Sequence, residues 1–185
     1  PQCARIYATG LGLYELSVNG QKAGDEYLAP GCTAYDKCLQ YQTYDVTPML
    51  HKGKNTLGAM LGNGWAMGRF GFGGYAGSYE TGDLGTPCHL FSDQFLFLLE
   101  LHVTLADGQE IVLGTDESWQ WAPSPITFGG IYDGERYEQG KEIPGWDTPE
   151  ADNFSWNPTQ AAVLNRPLAK PSARLSLPVK RRETF

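Results

Sequence analysis

The segment FLFLLELHVTLADGQEIVL leaves little freedom of fold. Phe95, Phe97, Leu99, Leu101, Val103 and Leu105 fall on one side of an extended chain, with Glu100, His102 and Thr104 on the other. Alternation with period two is the pattern of a half-buried strand, and a helix would scatter the same residues around its circumference. Asp107-Gly108 predicts the turn, and Ile111 to Leu113 the returning strand. Tyr14, Leu16 and Val18 alternate in the same way with Glu15, Ser17 and Asn19, and Asn19-Gly20 supplies the two positive-φ residues of a type I′ turn. LQYQTYDV continues the pattern. TPMLHKG predicts one short helix, with Thr47 as N-cap, Pro48 in its first turn and Gly53 at its end. Residues 55–62 return to strand. With 23 Gly and 12 Pro spread along 185 residues, the chain reads as all-β: an antiparallel two-sheet jelly-roll sandwich with one short helix.

Charge and missing motifs narrow the function. A net charge of −7 argues against nucleic acid or an anionic membrane as partner, and leaves a neutral ligand such as a sugar. No apolar run reaches membrane-spanning length. The four cysteines (Cys3, Cys32, Cys38, Cys88) form no CxxC pair, and free thiols fit better than a short Cys32–Cys38 loop. The compartment stays undecided, a cytoplasmic one being favoured over a secreted one. There is no phosphate-binding loop, zinc-protease helix, nucleophile elbow or EF-hand loop. Asp133, Glu135 and Glu138 in IYDGERYE are the nearest thing to a carboxylate pair, with Asp133 and Glu135 expected to share a strand face. Their expected role is structural, so no catalytic residue is assigned and the chain is expected not to hydrolyse anything itself.

One cluster rises above this background. LGNGWAMGRFGFGG opens a Gly-rich stretch, residues 62–87, read as a long loop of the kind that often carries function. It brings Asn63, Trp65, Arg69, Phe70 and Phe72 together within ten residues. An indole can cover the apolar face of a sugar, while an amide and a guanidinium can bind neighbouring hydroxyls. The alternative is that the aromatic rings are core plugs beneath a loop. Beyond Asn165, prolines and the basic run Lys180 to Arg182 suggest a tail lying loosely or as an orphaned strand, so the domain is expected to span 1–165, with 166–185 a linker or the first strand of another domain.

Taken in order, GLGLYELSVNGQKAGDEYLAPG, LQYQTYDVTPML, LGNGWAMGRFGF, TDESWQWAPSPI, IYDGERYE and IPGWDTP resemble the N-terminal domain of bacterial α-L-rhamnosidases, a galactose-binding-like sandwich, over about residues 4–165. The resemblance implies a non-catalytic accessory domain that assists recognition of L-rhamnose or rhamnosylated glycosides, the hydrolytic residues belonging to a separate (α/α) barrel. It equally allows a structural domain that buttresses that barrel and binds no sugar. The implied sugar-binding set is Asn63, Trp65, Arg69, Tyr132, Asp133 and Glu135, and the implied partners are the sugar and the other domains of a parent glycoside hydrolase. Calcium is the one cofactor to consider, with Asn63, Asp133 or Glu135 as ligands. Two positions depart from the family pattern: Cys32 follows Pro30-Gly31 where an aromatic is usual, and YAGSYETGDLGTPCHLF is a long insertion.

Overall fold

The computed structural model describes residues 1–68, 92, 94–162, 167–175 and 177–181. Its strands are β1 (Cys3–Leu11), β2 (Leu13–Val18), β3 (Gln21–Lys22), β4 (Glu26–Tyr27), β5 (Leu39–Asp45), β6 (Leu57–Gly62), β7 (Leu96–Thr104), β8 (Glu110–Gly114), β9 (Gln120–Trp121), β10 (Ile126–Gly130), β11 (Gly134–Tyr137), β12 (Asn157–Pro158), β13 (Pro171–Ala173) and β14 (Val179–Lys180). One helical turn, α1 (Gly64–Met67), follows β6. A five-stranded sheet in the order β13-β5-β1-β7-β8 faces a three-stranded sheet β3-β2-β6, and β10-β11, β9-β12 and β4-β14 form small ribbons. Among the described residues every pairing is antiparallel except β13 on β5. The fold is the β-sandwich expected from the alternation.

The inner faces are the alternating residues. Ala4, Ile6 and Ala8 of β1, Tyr44 of β5 and Leu99 and Leu101 of β7 pack on Tyr14, Leu16 and Val18 of β2. Ile6, Leu16 and Leu99 are each at most 1% exposed, so each contributes about 1.5–3 kcal/mol through burial. On the outer face the Tyr7 ring meets Tyr41 and His102 edge-on, at 5.8 and 5.2 Å, and His102 Nε2 lies 3.0 Å from Glu100 Oε2.

The turns follow the sequence with informative differences. Asn19 and Gly20 take φ of 52° and 78°, as a type I′ turn requires. Asn19 also gathers the neighbouring loop: its Nδ2 donates to Met49 O and Asn55 Oδ1, both at 2.9 Å, and its Oδ1 accepts from Thr56 N at 2.8 Å. At Leu105–Gln109, Gly108 alone turns left-handed (φ 84°). Its N–H donates to Leu105 O at 3.0 Å while Leu105 N–H donates to Gln109 O at 2.8 Å. This is the longer hairpin turn with a glycine bulge. Thr47 does not cap. It is the first residue of a one-turn 3-10 helix, Thr47–Met49, and its Oγ1 accepts from Ala4 N at 2.8 Å, fastening the turn to β1. Asp45 Oδ1 takes the Thr47 N–H instead, at 3.0 Å, and these bonds from Thr47 hold the Asp45 carboxyl below the usual range.

Ser17 lies on the polar side of its strand yet is buried. The cause is the segment Trp146–Asp147, which covers the outer face of the smaller sheet. A Cβ on Gly58 would stand 2.7 Å from the Trp146 ring and 3.3 Å from Ser17 Oγ, so glycine is needed there for close approach rather than for its φ.

The tail lies along the sandwich. β13 runs beside β5 with Pro171 opposite Leu39 and Ala173 opposite Tyr41, and β14 pairs with β4. Arg174 forms an ion pair with Glu26, both side chains largely buried, and Lys180 Nζ reaches Asp25 Oδ2 at 2.6 Å. Brief trypsin treatment should therefore cut first after Lys180 or Arg181, whose backbone is peripheral, and spare Arg174, with Lys170 protected by the proline that follows it. Mass spectrometry showing Arg174 cut earliest would contradict this pairing of the tail.

Candidate functional site

The site is built where β6 ends. Gly64 takes φ 51°, and a Cβ there would stand 2.6 Å from Leu13 Cγ. The chain thus enters α1 directly beneath β2, at a position where an L side chain is strained twice over. Ala66 and Met67 are buried, and Ala66 joins Leu11, Tyr35 and Leu39 in a second apolar cluster at this end of the sandwich. The Gly-rich stretch read as loop therefore opens with a helical turn. Its apolar run is four residues, too short to show a helical period, and burial rather than propensity holds it.

Asn63 stands at the head of α1 with helical backbone angles, and its side chain does not cap the turn. Instead Nδ2 donates to Gly129 O at 2.9 Å. That bond ties α1 to the β10–β11 hairpin, and the register partner of Gly129 is Glu135. Two distant motifs, GNGW and GERY, are thereby brought to one place through residues 66 apart, Asn63 and Gly129. Tyr132 and Asp133 lie in the turn of that hairpin, which is closed by Asp133 N–H donating to Gly130 O at 3.2 Å and reversed at Gly134 (φ 80°). Asp133 consequently precedes the strand and does not share a strand face with Glu135, contrary to the alternation read from IYDGERYE.

The hairpin's other acids are committed. Glu138 bonds Lys141 Nζ at 2.8 Å and accepts from Thr127 Oγ1 at 3.0 Å, and these partners hold its carboxyl below the usual range. Glu142 accepts from the Tyr137 hydroxyl, whose pKa that bond pushes up. Glu135 is exposed, and among the described residues its carboxylate makes no hydrogen bond or ion pair. Tyr132 is 48% exposed.

Trp65 is half-buried, between the two extremes of core plug and open platform. Among the described residues its indole N–H has no hydrogen-bond partner. Arg69, with Phe70 and Phe72, lies outside the described residues. The structure thus joins Asn63 to the strand pair that carries Glu135, sets Tyr132 and Asp133 at the tip of the same hairpin, and places Trp65 two residues from Asn63 on α1. Sequence reading did not find Gly129, because its contribution is a backbone carbonyl with no side-chain signal, nor the Thr127–Glu138–Lys141 and Tyr137–Glu142 braces that stiffen the hairpin. Among the described residues no group of three or more His, Cys, Asp or Glu side chains is assembled as for a metal, and Cys3, Cys32 and Cys38 are free.

Comparison with known proteins identifies the family. Residues 1–183 match the family model described as α-L-rhamnosidase N-terminal domain. An α-L-rhamnosidase of Streptomyces avermitilis is 39% identical over 153 residues, which are 83% of this chain and 14% of that protein. An α-L-rhamnosidase of Formosa agariphila is 35% identical over 159 residues, 85% of this chain and 16% of that protein. The crystal structure of the Streptomyces avermitilis enzyme complexed with L-rhamnose superposes with a TM-score of 0.85 at 35% identity, covering 98% of this chain and 16% of that one. The chain therefore spans about a seventh of the length of the relatives it matches.

Proposed function

Because the chain belongs to the α-L-rhamnosidase N-terminal domain family, we propose that it is a non-catalytic accessory domain of an α-L-rhamnosidase, and that it takes hold of L-rhamnose units where α1 meets the β10–β11 hairpin. The observation that carries this reading is the 2.9 Å bond from Asn63 to Gly129, which fixes an amide beside the strand pair bearing Glu135, a carboxylate without a partner among the described residues. The relative whose crystal structure holds L-rhamnose supports the choice of sugar.

L-rhamnose offers a methyl group and an apolar C–H face, with hydroxyls around its rim. Trp65 covers the apolar side and keeps an indole N–H to donate. Asn63 spends one amide hydrogen on Gly129, leaving its carbonyl oxygen and a second hydrogen for hydroxyls. Glu135 accepts from another hydroxyl, and the exposed Tyr132 ring and Asp133 border the site. Arg69, four residues after Trp65, is assigned a donor fork. Calcium takes roughly six to eight oxygens, more than the side chains of Asn63, Asp133 and Glu135 supply, and the contacts assigned to the sugar are hydrogen bonds and stacking. Hydrolysis needs two opposed carboxyl groups, whereas Glu138 and Glu142 are held by their own partners. That chemistry is assigned to the remainder of a longer enzyme.

Titration of the chain with L-rhamnose, followed by tryptophan fluorescence with and without calcium, tests the reading. Affinity of about 4–6 kcal/mol, millimolar to tens of micromolar, is expected. Trp65→Ala and Glu135→Gln should each lower it at least tenfold, about 1.4 kcal/mol, with an unchanged melting curve. Unfolding of Trp65→Ala would favour the purely structural role, and undiminished binding by both variants would move the site elsewhere.

A further inference from the structure

Leu175 and Leu177 are 92% and 91% exposed, whereas every other large exposed hydrophobic among the described residues is 56% or less. Isolated apolar side chains at a surface are ordinary. These two differ in being flanked by anchored segments. On one side, β13 pairs with β5, and Arg174 N–H donates to Tyr41 O at 3.1 Å. On the other, β14 pairs with β4, with Val179 opposite Tyr27. Between them the Arg174 guanidinium bonds Glu26 and also donates from Nη2 to Leu177 O at 3.1 Å. The largely buried ion pair thus fixes the backbone that presents the leucines.

The surroundings extend the apolar surface. Tyr27, Leu28 and Val179 are 39%, 40% and 48% exposed. Leu28 holds φ 57°, a left-handed conformation uncommon for a residue other than glycine. The Lys22 ammonium sits 3.5 Å from the Tyr27 ring centroid, giving the patch a charged border. An almost wholly exposed leucine pair with a polar border is the form of an interaction surface. The relatives carry this domain as 14–16% of their length, so most of such an enzyme lies outside it and is tethered at high effective concentration. A net charge of −7 disfavours a second copy of the chain.

We propose that Leu175 and Leu177, bordered by Val179, Tyr27 and Leu28, are the face by which this domain seats against an apolar surface of a neighbouring domain in the same rhamnosidase polypeptide. The inference rests on the chain working within a longer α-L-rhamnosidase and does not depend on where, or whether, the sugar binds.

Hydrogen exchange in the isolated chain and in the full-length enzyme tests it. The amides of Leu28, Leu175, Leu177 and Lys180 should exchange at least tenfold more slowly in the full-length enzyme. Leu175→Asp/Leu177→Asp, or the milder Leu175→Ser/Leu177→Ser, should restore the faster rates there, while leaving the melt of the isolated chain and the exchange of Gly129 to Glu135 unchanged. Equal rates in chain and enzyme would overturn the proposal. So would a dimer of the isolated chain, seen by light scattering and dissolved by the double variant, since the face would then serve a second copy. Slowed exchange at the leucines in an enzyme whose domain binds no rhamnose would reject the sugar-binding role and leave this interface standing.

Discussion

Gln42→Ala should lower stability by about 3 kcal/mol, through a cavity and the loss of two buried hydrogen bonds. Gln42 is 1% exposed in the middle of the sandwich. Its Oε1 lies 2.5 Å from the Tyr14 hydroxyl, and its Nε2 donates to Pro30 O at 3.3 Å. Tyr14 in turn stands 3.1 Å from the Tyr44 hydroxyl and 3.0 Å from Ala8 O. The network links β1, β2 and β5 with the loop before β5, and burial with the neighbouring Tyr44 pushes the Tyr14 hydroxyl far above its usual pKa, so it remains a neutral donor. In a chain of this size such a loss lowers Tm by about 6–12 °C. Tyr14→Phe removes one hydroxyl and little volume, and should cost about 1–3 kcal/mol. Urea unfolding measures both, and a loss below about 1 kcal/mol for Gln42→Ala would mean that the network is dispensable.

Gly64→Ala should be nearly as damaging and should reach function as well. The left-handed backbone costs a non-glycine residue about 1–2 kcal/mol, and the contact with Leu13 adds about 1–3 kcal/mol of overpacking. The added methyl has no room to stay and α1 no room to move, since Ala66 is seated in the second cluster and Met67 is buried beside it in the chain. Below its lowered melting temperature the variant should bind L-rhamnose at least tenfold more weakly, because Asn63 and Trp65 shift against the hairpin. Wild-type melting and wild-type binding together would show that the entry to α1 does not set the site.

What was legible in the sequence was local. Tyr14, Leu16 and Val18, and Leu99 and Leu101, announce their strands because alternate side chains of one strand face one way. Asn19-Gly20 announces its turn because both residues tolerate positive φ. What was not legible depended on distant pieces of chain. Ser17 reads as solvent-facing until Trp146 covers it. The Asn63 amide meets a carbonyl 66 residues away, and a carbonyl leaves no mark in composition or periodicity. Asp133 was misplaced for a subtler reason: alternation in IYDGERYE places it on a strand, whereas the Gly130–Gly134 pairing makes it part of the turn. Of the site, the residue types could be read from the sequence, and their juxtaposition could not.

The position of β1 in the larger sheet has a consequence for how the chain is made. β1 is a central strand whose partners are both synthesised later: residues 42–45 on one edge and 96–104 on the other. A polypeptide emerging N-terminus first can close the first edge once Asp45 is out. The second stays open until Thr104 appears, about 60 residues and on the order of 3–12 s later at typical elongation rates of about 5–20 residues per second. Through that interval Ala4, Ile6 and Ala8 sit beside unpaired backbone donors and acceptors, a template for pairing with another nascent chain. Yield at elevated temperature should therefore depend less on the final stability of the sandwich than on how well β1 is shielded during those seconds, by a chaperone or by dilution.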